Sequence, residues 1–171
     1  IQSLGPSFGR WIPVNELPKE MRNAMVAVED RRFYYHPGVD PIGISRSFYV
    51  RAVRGHWAQG GSTITQQLVR GNVLRRATAL ENSYQLRHAG LLARLLSSVV
   101  GARSVNMLAR KREEIRLSLW LEREMRERFG SKRRAKEEIL ARYASFVYMG
   151  NGQYGFARAA EYYFGRQLTS F

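Results

Sequence analysis

The chain has 171 residues, 44% of them hydrophobic, which is enough for one domain with a real core and argues against a disordered segment. It contains no cysteine, so disulfide frameworks and thiolate chemistry are excluded, and His36, His56 and His88 fall in no metal-ligand spacing. Lysine and arginine number 28 against 14 acidic residues, a net charge of +14 that favours an anionic partner: nucleic acid, an acidic membrane surface or a phosphorylated substrate. Nearly all of the excess is arginine, which suits bidentate phosphate contacts.

Taken in chain order, residues 1–16 carry Gly5, Pro6, Gly9 and Pro13 and read as an extended lead-in. A helix is expected from about Pro18 to Glu29, with Met21, Met25 and Val28 on one face and Glu29 beside that stripe at the C-terminal end. After the turn His36-Pro37-Gly38-Val39, Asp40 reads as an N-cap with Pro41 in the first helical position, opening a helix over 41–54. Gln59-Gly60-Gly61 is a second turn, and Ser62-Thr63 can cap a helix through Ile64, Gln67 and Leu68. The stretch from Asn72 to Ala109 reads as an extended connector. Its segment 86–100 is amphipathic, too short to span a bilayer, and suited either to packing on the domain or to lying at a membrane interface. A long charged helix is expected over 107–129, ending at Gly130. Another starts near Ser131 and covers Ile139, Leu140 and Tyr143, and a short one spans 156–163 beyond Gly150-Asn151-Gly152. The pattern is all-α with functional turns. The chain starts at Ile1 and stops abruptly at Phe171, and reads as a piece of a longer protein.

Several residues invite a chemical reading. Glu114 shares a helix face with Ser118, Leu121 and Met125, widened by Leu117, while Arg112, Arg116 and Arg123 lie opposite. A carboxylate on so apolar a face must be paired or do chemistry, and a salt bridge to an inner arginine is the plainer explanation. Glu29, next to Asp30 and an aromatic turn, poses the same question. Two carboxylates from different helices could divide acid and base roles in glycosyl chemistry. Between them, Gly60-Gly61-Ser62-Thr63 offers a glycine turn and a helix N-terminus, a natural place for an anion.

Glu29-Asp30-x-x-Phe33-x-x-His36-x-Gly38 resembles the first motif of the peptidoglycan glycosyltransferases, the transglycosylase domains of class A penicillin-binding proteins and their monofunctional relatives. Gly60-Gly61-Ser62-Thr63-Ile64-Thr65-Gln66-Gln67-Leu68 matches the second motif. Arg110-Lys111-x-x-Glu114-Ile115, ending Leu121-Glu122, is similar to the third. Lys136-x-x-Ile139-Leu140-x-x-Tyr143, running on through Tyr148-x-Gly150-x-Gly152-x-Tyr154-Gly155 to Tyr163-Phe164-Gly165, is similar to the fourth.

The resemblance covers nearly the whole of residues 1–171 as one domain. It implies a lysozyme-like all-α fold with a small membrane-proximal lobe, into which the 72–109 connector would fall. It further implies a polymerase of lipid II that inverts the anomeric carbon and releases undecaprenyl pyrophosphate. By correspondence Glu29 is the general base, and Glu114 orients the donor, assists the leaving pyrophosphate or holds a divalent cation, magnesium or manganese. Asp30, Phe33, His36, Ser62, Thr63, Gln66, Gln67, Arg70, Arg110 and Lys111 are the implied substrate-binding residues. No organic cofactor is implied. The implied partners are lipid II, the growing glycan strand, an anionic membrane surface, and a fused transpeptidase domain or cell-wall complex. The implied place is the outer face of the bacterial cytoplasmic membrane. A nucleic-acid binder would explain the charge but none of the motifs.

The sequence also departs from the family pattern. Arg70-Gly71 stands where Lys-Asn is usual, Glu113 where many members have a basic residue, and Ala141 and Ala144-Ser145 replace common fourth-motif residues. The connector is longer than usual, the short Arg-Thr step before Arg110-Lys111 is not found, and the chain stops before a later Pro-Ser-rich motif. These mark a divergent member and leave two alternatives beside the polymerase: a catalytically weak, membrane-associated lipid II-binding scaffold, or a lysozyme-like enzyme that cleaves finished glycan.

Overall fold

The computed structural model describes residues 10–54, 61–71 and 102–171. Within them the elements are α1 (Lys19–Glu29), α2 (Pro41–Arg54), α3 (Ile64–Val69), α4 (Ala102–Phe129), α5 (Lys132–Phe146) and α6 (Phe156–Phe164), with single 3-10 turns at Val14–Glu16 and Leu168–Ser170. Among these residues there is no strand, only an isolated bridge between Tyr148 and Tyr154. The all-α expectation is borne out. None of the described helices is long and apolar enough to cross a membrane. Gly60 and the amphipathic segment 86–100 lie outside the described residues.

Helix boundaries follow from their caps. Pro18, expected in the first turn of α1, is instead its N-cap. Asp40 accepts a hydrogen bond from the Gly43 amide, as an N-cap carboxylate should. Of the two candidates at α3, Thr63 is the cap: its hydroxyl accepts from the Gln66 amide while the Gln66 side chain accepts from the Thr63 amide, a reciprocal capping box. Ser131 caps α5 through the Arg134 amide. α4 begins at Ala102, so the last residues assigned to the connector are the first turns of this helix.

Two face assignments change. Val28 is 77% exposed, because α1 turns Met21, Met25 and Val26 inward and leaves Val28 beyond the edge of that face. On α4 the buried stripe is Glu114, Ser118, Glu122 and Met125, with Leu117 and Leu121 only half-buried. The face read as mostly apolar is therefore largely polar.

α3, α4 and α5 pack on one another around a core of Ile64, Leu68, Met125, Ile139, Leu140 and Phe33. Full burial of a side chain such as Phe33 contributes roughly 1.5–3 kcal/mol. Inside this core lies an ion pair. Lys136 has no exposed surface; its Nζ is 2.6 Å from Glu122 Oε1 and 4.4 Å from the centre of the Phe33 ring. Thr65 Oγ1 donates to the same Glu122 oxygen at 2.6 Å. Burial pushes the Lys136 ammonium down from its ordinary value, against the charge and hydrogen bond of Glu122 and the charge of Asp30, which raise it. The backbone of Gly38 lies against this pair: at φ +98°, a Cβ there would sit 2.8 Å from both Glu122 Cγ and Ser118 O. Only glycine fits.

The fourth-motif departures belong to packing. Ala141, Ala144 and Ser145 have no exposure, and Ser145 Oγ accepts from the Ile12 amide at 2.9 Å while donating to Ala141 O. Ser145 thus ties the N-terminal segment to α5.

Replacing Lys136 with Met strands the Glu122 carboxylate in the core, and unfolding in urea is expected to show a loss of about 3–5 kcal/mol. Adding Glu122→Leu in the same chain should recover part of that loss.

Candidate active site

The first motif builds its own scaffold before it offers anything to a ligand. Asp30, directly after α1, is buried, and both its carboxylate oxygens lie within 3.0 Å of His36 Nε2. His36 Nδ1 accepts from the Gly38 amide at 3.1 Å, so the proton sits on Nε2 and is donated to Asp30. Asp30 Oδ2 also accepts from the amide of Ile64, the first residue of α3, at 3.1 Å. The N-terminus of α3, expected as a place for a substrate anion, is thereby already served by the chain's own carboxylate. Thr63 completes the joint by donating its hydroxyl to Gly38 O at 2.6 Å. Phe33, Thr63 and Gln66 have almost no exposed surface; they hold the turn and cap in place rather than present a face to solvent. Arg32 and Asp40 pair side by side across the same turn.

α3 then reaches both candidate carboxylates. Gln67 Nε2 donates to Glu29 Oε2 at 2.8 Å, and the hydroxyl of Tyr143 on α5 donates to Gln67 Oε1 at 3.2 Å. Three residues on, Arg70 caps the end of α3 in helical conformation, its Nε donating to Glu114 Oε2 at 3.1 Å and its Nη2 to Ser62 Oγ at 3.0 Å. Lys111 Nζ holds the other Glu114 oxygen at 2.6 Å. Positions three apart on a helix are neighbours on one side. One short helix therefore supports Glu29 through Gln67 and Glu114 through Arg70.

The electrostatics of the two ends differ. Glu29 is partly exposed and carries an amide donor. Glu114 is 5% exposed and held between two cations that themselves reach solvent. Both its oxygens are committed to Arg70 and Lys111, and among the described residues no group of three acidic or histidine side chains stands close enough to hold a metal. That donor set does not suit a divalent cation, which seeks several oxygen ligands of its own. Arg110, one residue before Lys111, is exposed, and Glu113 turns outward to pair with Arg116.

The transglycosylase family model matches residues 2–171. The chain belongs to the transglycosylase family. It is 36% identical to penicillin-binding protein 1A of Escherichia coli over 94% of its own length and 15% of that protein's. It is 32% identical to penicillin-binding protein 1A of Aquifex aeolicus, over 92% of this chain and 17% of that one. A Cupriavidus necator protein that carries a transglycosylase name is 34% identical over 92% of this chain and 52% of its own. The chain thus spans about half the length of that last relative and less than a fifth of the other two.

In this transglycosylase-family domain, sequence reasoning passed over the Glu122–Lys136 pair and gave Tyr143 no role, although all three stood in the quoted motifs. The signal for the pair was present: Glu122 falls eight residues after Glu114 on α4, on the same inward side. What was missing was any sign that Lys136 points inward rather than snorkels.

The brace at Asp40 gives a pH test. Burial alone pushes its carboxyl up, but the hydrogen bonds from Arg32 and the Gly43 amide, with the Arg32 charge, outweigh this and hold it below its ordinary value of 3.8. The folded state thus binds its proton less readily than the unfolded chain, so the stabilisation is present above that value and is lost as pH falls through the lower folded one. Asp40→Asn keeps the cap but removes the charge. It should cost about 1 kcal/mol at neutral pH, and the gap from wild type should close below about pH 4 in urea unfolding.

Proposed function

We propose that this domain polymerises a lipid-linked disaccharide, lipid II, into glycan strands, with inversion at the anomeric carbon and release of undecaprenyl pyrophosphate. The observation that carries the reading is the mounting of Glu29 and Glu114 on neighbouring positions of α3, one carboxylate partly exposed and the other clamped by cations. Family membership supports glycosyl transfer as the reaction class.

In this mechanism Glu29 takes the proton from the 4-hydroxyl of the acceptor sugar as its oxygen attacks the anomeric carbon of the donor. The bond to the pyrophosphate breaks on the opposite face, and the departing oxygen gathers negative charge. Arg70 and Lys111 meet that charge, preorganised by Glu114, which fixes both without cancelling both. Ser62 steadies the Arg70 fork, and Arg110 adds a further exposed cation. Asp30, His36, Phe33, Thr63 and Gln66 contribute by shaping α3 and the turn beneath it. Arginine at position 70 fits this task, since one guanidinium spans two acceptors where an ammonium is a single point charge. The lipid-linked substrate places the reaction at the outer face of the cytoplasmic membrane, where the net charge of +14 suits anionic headgroups. A transpeptidase domain in the same protein or a cell-wall synthesis complex fits the penicillin-binding relatives.

Purified lipid II is expected to be converted to glycan chains by the full-length protein, and Glu29→Gln to slow this by at least about a hundredfold while leaving the fold intact. Lipid II binding without polymerisation in both proteins would instead identify a scaffold, and release of fragments from finished glycan without any lipid-linked donor would identify a hydrolase. With two side-chain cations at the leaving group, a chelator is expected to leave the polymerisation rate within about twofold of the untreated value, checked by adding magnesium or manganese back.

A further inference from the structure

We propose that Tyr143 is a positioning residue for the base: through Gln67 it fixes the orientation of Glu29 and keeps a hydrogen-bond donor on its carboxylate. The inference rests on the reading of Glu29 as the general base.

The geometry has a direction built into it. A primary amide has one accepting end and one donating end. The Tyr143 hydroxyl donates to Gln67 Oε1 at 3.2 Å, which leaves the Gln67 NH2 to face Glu29 Oε2 at 2.8 Å. Rotated by half a turn, the amide would set its oxygen against a carboxylate, two acceptors facing each other. The carboxylate disfavours that rotamer, and Tyr143, by donating to the amide oxygen, anchors the productive one. It can do so because it is itself immobile: it is 5% exposed and packed in the core with Ile139, Leu140 and Ala144. Its hydroxyl also stays a donor at any working pH, since burial first and the negative charge of Glu29 second push its ionisation well above the ordinary tyrosine value. Glu29 is the charged group whose field reaches the phenol, across the gap that Gln67 fills.

Glu29 has particular need of such a donor. It is the last residue of α1 and partly exposed, and the Gln67 amide hydrogen-bonds its carboxylate. The relay thus carries an orientation fixed in the core out to a carboxylate at the partly exposed end of a helix.

The test compares Tyr143→Phe, Gln67→Leu, the double variant and Glu29→Gln in the full-length protein. The readout is the split of kcat against KM for glycan formation from lipid II, with thermal unfolding alongside. Tyr143→Phe keeps the ring and its packing. It is expected to lower kcat about fivefold to tenfold while KM for lipid II stays within about twofold of wild type. In the Gln67→Leu background the same change should add less than about twofold, because both act through one chain of hydrogen bonds. A loss that falls on KM with kcat unchanged, or a full multiplicative loss in the double variant, would overturn the relay. If Tyr143→Phe unfolds, the Gln67→Leu kinetics alone decide: without a loss in kcat, the donor at Glu29 has no role in catalysis. An inert Glu29→Gln substitution would instead sink the assignment of the base, separately from the relay.

Discussion

The fold turns on a buried charge pair. Lys136 and Glu122 meet in a core that gives the lysine no water at all, and the pair has further support: Thr65 donates to the same carboxylate oxygen, and the Phe33 ring lies against the ammonium. Those contacts come from α3, α4, α5 and the first-motif turn, so the pair sets how four separate pieces of chain come together. Gly38 seals it, since no side chain could pass between its backbone and Glu122. A purely apolar core could slide; this one has a register.

The site is built outward from that register in two layers. Asp30, His36, Thr63 and Gln66 lock the start of α3 to the turn after α1, using up hydrogen-bond donors that would otherwise be available to a ligand. Gln67 and, just past the helix end, Arg70 then extend further along to Glu29 and Glu114. The exposed positive charge of the site consequently comes from the side chains of Arg70, Lys111 and Arg110, in keeping with a domain so rich in arginine.

How far this could be read in advance depended on the type of signal. Helix positions were legible because Asp40, Thr63, Ser131 and Gly130 carry their capping chemistry in their own identities. Faces were less so: Val28 looks like a core residue by spacing, and it takes the packing of Val26 to show that α1 is rotated away from it. The carboxylates stood out, but their partners did not. Nothing local says that Gln67 belongs to Glu29 at a sequence distance of 38, or Arg70 to Glu114 at 44. Nor does an alternation of polar and apolar residues reveal Lys136 as buried, because lysines on helices usually reach water. The second-motif residues were recognised as a group, whereas their division into a cap, a core plug and an outward support is a matter of three-dimensional direction.

That division has a consequence for how such a chain can vary over evolutionary time. Gln67 and Arg70 ride on a helix only six residues long and its C-cap, so a single inserted residue between them would swing one support by roughly 100° about the axis and detach its carboxylate. The spacing inside this helix behaves as one indivisible unit of inheritance. A change of length outside this helix carries no such penalty for the two supports.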